Sequence, residues 1–230
     1  MAALEAVGLR REYGRLVALA GLDLSVEAGE CVALVGANGS GKSTAVRAIA
    51  GLLEPSAGTV RVCGHDPHRE PDAENARAAL ALVPDTPLLY DDLTVRQHLE
   101  LVTLSHGADD SVDEWLGRLD LAARADFLPR ELSRGMRQKT MLACALVRPA
   151  TVLLLDEPVV GLDPPSQALL RSVLTERVRG EAAVLLTTHQ LAWADGLADR
   201  AVVLEEGEVA DAGAWPEVRE RAEARGWTSS

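Results

Sequence analysis

Gly36-Ala37-Asn38-Gly39-Ser40-Gly41-Lys42-Ser43 fits the pattern Gly-x-x-x-x-Gly-Lys-Ser, with Gly39 as a further glycine inside the loop. The flanking residues give the pattern its meaning. Cys31-Val32-Ala33-Leu34-Val35 is a short apolar, β-branched run that reads as a buried strand. Thr44 to Ala50 reads as a helix, with Gly51 as its stop. Strand, glycine-rich loop and helix in that order make a phosphate cradle. Glycines allow positive φ, so several N–H groups converge on the phosphates, and the helix start adds partial positive charge. Lys42 is a point charge for the β- and γ-phosphates, and the Ser43 hydroxyl is a ligand for Mg²⁺. The chain is expected to bind a nucleoside triphosphate.

Composition bounds the rest. A chain of 230 residues suits one large domain, or a core with one inserted subdomain. No apolar run approaches the ~18–20 residues of a membrane span, and the N-terminus lacks the pattern of a signal peptide. Cys31, Cys63 and Cys144 are isolated, which suggests neither disulfides nor a zinc site and fits a cytoplasmic setting. A net charge of −12 argues against a nucleic-acid-binding surface. Lys42 and Lys139 are the only lysines, and a guanidinium in place of Lys42 would change the geometry of its loop.

Two later strands end at reactive side chains. Thr151-Val152-Leu153-Leu154-Leu155 runs into Asp156-Glu157-Pro158, so two carboxylates meet the strand edge where α/β sheets hold ligands. Asp156 suits a Mg²⁺ shell, directly or through water, and Glu157 suits a base polarising the attacking water. Ala183-Val184-Leu185-Leu186-Thr187 ends at Thr188-His189, which places His189 on the same edge. The pair His65 and His68 lies in a Pro- and acid-rich loop without further ligands and is rejected as a metal site. Ser133 reads as an N-cap for a helix through Val147.

The order Tyr13, Gly36–Ser43, Leu132-Ser133-x-Gly135, Leu153–Glu157, Gly161-Leu162-Asp163 and His189 resembles the nucleotide-binding subunit of ABC transporters, from Leu4 to about Gly213. The resemblance implies an α/β fold: a P-loop NTPase core with a mainly parallel sheet, an N-terminal antiparallel β portion and an inserted α-helical subdomain. It implies ATP and Mg²⁺ as cofactors, and a Mg-dependent ATPase. It assigns Tyr13 to stacking on adenine, and Gly36, Ala37, Asn38, Gly39, Ser40, Gly41, Lys42, Ser43 and Thr44 to the phosphates. Ser133, Gly135 and Met136 fall in the signature motif, which meets the γ-phosphate held by a second subunit. Asp163 matches the loop that communicates across the dimer, and His189 the switch histidine. The implied partners are a second ATPase subunit and an integral-membrane permease, with the protein peripheral on the inner face of the membrane.

Three departures stand out. Arg134 and Met136 replace residues of the usual Leu-Ser-Gly-Gly-Gln signature, in a form similar to exporter ATPases with separate permeases. Val159 and Val160 stand where a threonine and a small residue are usual. Asp85 takes the place of the family's glutamine. It offers Mg²⁺ oxygens but no amide, and adds negative charge beside Asp156 and Glu157; the other reading makes it a loop cap or permease contact.

One domain, 1–230, is expected, with core segments 1–93 and 148–230 around a helical segment 94–147. Within it, Thr94–His106, Ser111–Ala123 and Arg134–Val147 read as helices, Gly64–Pro71 as an exposed loop, and Trp215–Ser230 as a charged terminal helix. Trp115 and Trp193 read as packing residues. The favoured function is an ATPase powering transport, in the export direction. The alternative is a non-transport ABC ATPase in DNA repair or translation, although such relatives usually carry insertions or a second cassette that this chain lacks. A binding module without turnover is opposed by the joint presence of Glu157 and His189.

Overall fold

The computed structural model describes residues 2–108 and 112–226. Two sheets organise it. A three-stranded antiparallel sheet has the order β2-β1-β4, from β1 (Leu4–Tyr13), β2 (Leu16–Val26) and β4 (Ala57–Val62). A six-stranded sheet has the order β5-β6-β7-β3-β8-β9, from β3 (Cys31–Val35), β5 (Leu80–Val83), β6 (Val152–Asp156), β7 (Ala183–Thr188), β8 (Arg200–Glu205) and β9 (Glu208–Ala214). All pairings in the larger sheet are parallel except β8 with β9.

The apolar runs are explained by burial on both faces, as parallel sheets require. Along β3, Cys31, Ala33 and Val35 join one core cluster while Val32 and Leu34 join the other. Along β6, Leu153 and Leu155 part in the same way from Val152 and Leu154. The second cluster holds α1 (Lys42–Ile49) and the antiparallel sheet. The first holds residues of α3 (Val95–His106), α4 (Val112–Arg118), α5 (Arg134–Leu146), α6 (Pro164–Arg179) and α8 (Trp215–Arg225). The remaining α-helices are α2 (Asp72–Ala79) and α7 (Leu191–Ala194). No helix among the described residues is long and apolar enough to cross a membrane.

Local chemistry explains several helix ends. Thr94 and Gln97 close a capping box before α3, and Gly107 ends that helix at φ +60°. Ser133 caps α5 by accepting from the Met136 N–H at 3.2 Å, and Asp163 caps α6 by accepting from the Ser166 N–H at 2.8 Å. The helix expected over Ser111–Ala123 is different. Ser111 lies outside the described residues, and α4 stops at Arg118, followed by a separate 3₁₀ turn at Ala122–Arg124. Asp120 adopts φ +56° between them, a conformation its short polar side chain tolerates, while Leu119 and Leu121 turn into the core. Helix α2 was not anticipated, because its Ala-rich stretch carries only two buried positions, Ala73 and Ala76. Within the expected exposed loop, Pro67 is buried and the His68 imidazole sits 2.8 Å from the Ala48 carbonyl at the end of α1. Trp115 and Trp193 are packed in the core, and α8 ends at Arg225; the residues beyond 226 lie outside the described ones.

Candidate active site

Strand β3 delivers its loop directly into α1, and the loop glycines are dictated by contact. A Cβ on Gly36 would sit 2.3 Å from the Leu204 carbonyl oxygen, and one on Gly41 would sit 2.5 Å from that of Ala18. Gly41 also holds φ +106° as the cap of α1. Neither position tolerates an L side chain. Lys42 folds back along the loop, its Nζ donating to the Gly36 and Ala37 carbonyls at 2.8 and 3.0 Å. Burial pushes its ammonium pKa down, against the opposing pull of Glu157 and Asp156.

Strands β6 and β7 bring the carboxylates to the same edge. Asp156 is 1 % exposed. The Thr187 hydroxyl donates to Asp156 Oδ1 at 2.6 Å and accepts from the Glu157 N–H at 2.9 Å. Ser43 also hydrogen-bonds Asp156. Burial raises the Asp156 pKa despite these two hydroxyls, and the charges of Asp85 and Glu157 push the same way. Glu157 adopts φ +49°, a left-handed conformation unusual for a residue with a side chain. Its Oε2 lies 2.9 Å from His189 Nδ1 and its Oε1 3.9 Å from Lys42 Nζ.

Of these groups Gly41, Lys42, Ser43 and Glu157 border a cleft of 370 Å³, whose lining also includes Tyr13, Asn38, Gly39, Thr44 and Asp85. Tyr13, at the end of β1, is 46 % exposed, and the Arg11 guanidinium lies 4.6 Å from its ring centre. Asp85 follows β5 and receives a 3.3 Å contact from Arg47 of α1. A larger groove of 560 Å³ runs along β4 and residues 66–72, away from the phosphate loop. Its Arg61–Asp72 and Arg69–Asp66 ion pairs already neutralise one another, so it is set aside.

The residues fit Mg²⁺ and a triphosphate. Glu157 Oε1 and Ser40 Oγ are buried without a hydrogen-bond partner, an expensive state unless a ligand or water supplies one. Ser43, Asp156 and Asp85 are hard oxygen donors of the kind Mg²⁺ takes together with phosphate and water. Among the described residues no group of three or more His, Cys, Asp or Glu is placed to hold a metal ion.

Ser133, Gly135, Met136 and Asp163 lie outside this cleft but close to one another. A Cβ on Gly135 would sit 2.7 Å from the Gly161 carbonyl oxygen. Lys139 Nζ is 3.7 Å from Asp163 Oδ2, and Gln138 Nε2 donates to the Pro158 carbonyl at 3.3 Å. The start of α5 is thus tied to the segment that follows Glu157. Val159 packs in the core at 1 % exposure, where an apolar residue in place of threonine is well housed. Sequence reading missed Thr187 as the residue orienting both Asp156 and Glu157; its place one residue before Thr188-His189 on the same strand edge was the available signal. It also missed Arg47, for which no local signal existed.

Such a site belongs to a phosphate-loop ATPase, and comparison with known proteins makes the class specific. The family described as ABC transporter matches residues 19–160, and the chain belongs to that family as an ATP-binding, ATP-hydrolysing subunit. The ABC-type transporter ATP-binding protein EcsA of Bacillus subtilis is 34 % identical, over 96 % of this chain and 91 % of that protein. The daunorubicin resistance ATP-binding protein DrrA3 of Streptomyces coeruleorubidus is 40 % identical, over 92 % and 68 %. A solved ATP-binding subunit of an ABC transporter superposes with a TM-score of 0.87 at 34 % identity, covering 97 % of this chain and 95 % of that one. The cassette MJ0796, solved as a dimer with ADP and Pi, shares the fold with a TM-score of 0.83 at 24 % identity, covering 92 % and 98 %.

Proposed function

We propose that this chain powers export through separate membrane permease subunits, as one of two ATPase subunits joined head to tail on the inner, cytoplasmic face of the membrane. Relatives named for drug resistance, Nod factor export and peptide export support the direction of transport. None of these names favours DNA repair or translation. The observation that carries the paired arrangement is a separation. Lys42, Ser43 and Glu157 line one cleft, with Asp156 bonded to Ser43 and His189 to Glu157, while the capped start of α5 lies outside it. A capped helix start with a close-approach glycine is an anion site without an anion of its own. The helical segment 94–147, which carries α5, would offer it to the nucleotide of the other subunit.

In this reading Tyr13 stacks on adenine, and the loop Gly36–Ser43 with Thr44 holds the phosphates. Lys42 exchanges its loop carbonyls for phosphate oxygens. Ser43, Asp156 and Asp85 would hold Mg²⁺, which when bound offsets charge on the triphosphate and orients it. Glu157 Oε1 takes a proton from water as its oxygen attacks the γ-phosphorus, and the bond to the β–γ bridging oxygen breaks to release ADP. His189 steadies the other carboxylate oxygen and reaches the γ-phosphate. Ser133, Gly135 and Met136 face the partner's γ-phosphate, and Asp163 reports across the interface.

Mixing two inactive chains tests the pairing. A Lys42→Ala chain with a Ser133→Arg chain should recover part of the activity, since one composite site in each mixed dimer stays intact. Normal hydrolysis by either mutant alone, independent of protein concentration, would refute the composite site.

A further inference from the structure

Asp85 has a partner that the reading above leaves unused. Arg47 Nη2 donates to Asp85 Oδ1 at 3.3 Å, joining the last turn of α1 to the loop after β5. Asp85 borders the phosphate cleft on one side. On the other it borders a smaller apolar cleft of 180 Å³, which Arg47 also lines. A glutamine here would need no counter-charge, whereas a carboxylate near Asp156 and Glu157 adds to a negative field. The charge of Asp85 is felt at Asp156, whose carboxyl it helps push upward after the larger effect of burial.

We infer that Arg47 is a positioning residue that holds and neutralises Asp85, and so sets how strongly ATP binding by this chain depends on Mg²⁺. The inference rests on the reading that Asp85 faces the metal. An unpaired carboxylate at this place attracts a divalent cation and repels a polyphosphate. Both effects strengthen the coupling between the two ligands, and a paired guanidinium weakens both. By linkage the coupling equals the ratio of the ATP Kd in EDTA to that in saturating Mg²⁺. The side chains of Arg47 and Asp85 are 55 % and 40 % exposed, so solvent screens the pair. The expected change is therefore about two- to fivefold, the range of exposed ion pairs.

Equilibrium binding of ATP with and without Mg²⁺ tests this, on the full chain and without hydrolysis as a readout. Arg47→Gln should raise the Kd ratio about two- to fivefold, and Arg47→Lys should stay near wild type. Asp85→Asn should lower the ratio, and adding Arg47→Gln to it should change nothing further. The shift should shrink at ~0.5 M salt. If Asp85→Asn moves the ratio but Arg47→Gln does not, the pairing role is wrong while Asp85 still faces the metal. If Asp85→Asn leaves the ratio unchanged, the metal-facing reading of Asp85 is itself wrong. Equal effects of Arg47→Gln with Asp85 present or removed would show that Arg47 acts on the nucleotide directly, which also overturns the inference.

Discussion

His189 Nδ1 stands 2.9 Å from Glu157 Oε2, so the residue that follows β7 steadies the carboxylate that follows the neighbouring β6. With Oε2 occupied, Oε1 is the oxygen left to receive a proton. Glu157→Gln keeps the shape and removes the basicity. It should retain ATP binding while lowering turnover by roughly 10²–10⁴-fold. Steady-state hydrolysis and nucleotide binding measured on the same preparation check this; unchanged turnover would remove Glu157 from the role of base.

Thr187 touches both acidic residues, through 2.6 Å to Asp156 Oδ1 and 2.9 Å from the Glu157 N–H. Thr187→Val preserves the β-branched shape within a buried strand but strips the hydroxyl. The Glu157 N–H and Asp156 Oδ1 then each lose a partner, at a cost of about 1–3 kcal/mol. Urea denaturation should show that loss, and turnover should fall more than ATP affinity. A Thr187→Ser chain should recover most of both.

Acid sensitivity should arise at Glu30, next to the strand that carries the phosphate loop. Burial pushes its carboxyl up, but hydrogen bonds from Arg200 and the Glu27 N–H outweigh it and hold the pKa below the usual 4.5. A depressed folded pKa means stability that is present above pH 4.5 and lost as the pH falls through the folded value. Arg200 is partly exposed, so the contribution is discounted to about 1 kcal/mol. Denaturation of wild type and Glu30→Gln should differ by that amount at pH 7. The gap should close toward pH 3, and a constant gap would exclude ionisation as its source.

Gly135→Ala adds one methyl group where the Gly161 carbonyl oxygen already lies 2.7 Å from the Cβ position. Backbone must move on one side or the other, at a cost of about 1–3 kcal/mol. ATP binding to the isolated subunit should survive, because Gly135 lies outside the phosphate cleft. Hydrolysis should fall together with any nucleotide-dependent dimerisation seen by gel filtration. Normal dimerisation and turnover would show that the tight contact has slack.

Legibility in the sequence followed range. The phosphate loop, the strand before it and the helix after it are set by neighbouring residues, so Cys31–Ile49 could be read directly. The parallel sheet was legible because β3, β6 and β7 are apolar on both faces. Asp156, Glu157 and His189 stood out because each ends or follows an apolar run. Thr187 did not, since its role exists only when β7 lies beside β6, a pairing of residues 31 positions apart. Arg47 was hidden for the same reason, as an ordinary helix arginine until β5 sets Asp85 beside it. The break in α4 escaped because Asp120 looks like any helix-surface residue; two leucines competing for the core decided it.

The contact between Gly135 and Gly161 is main chain against main chain, and no rotamer change can loosen it. The turn after Glu157 and the first turn of α5 thus meet backbone to backbone, with Lys139 and Asp163 as a second tie between them. In the proposed paired arrangement, a shift at the end of β6 would be carried to the start of α5, which lies outside the phosphate cleft. In a head-to-tail pair, each subunit would in this way wear the condition of its own pocket on the face it turns to its neighbour.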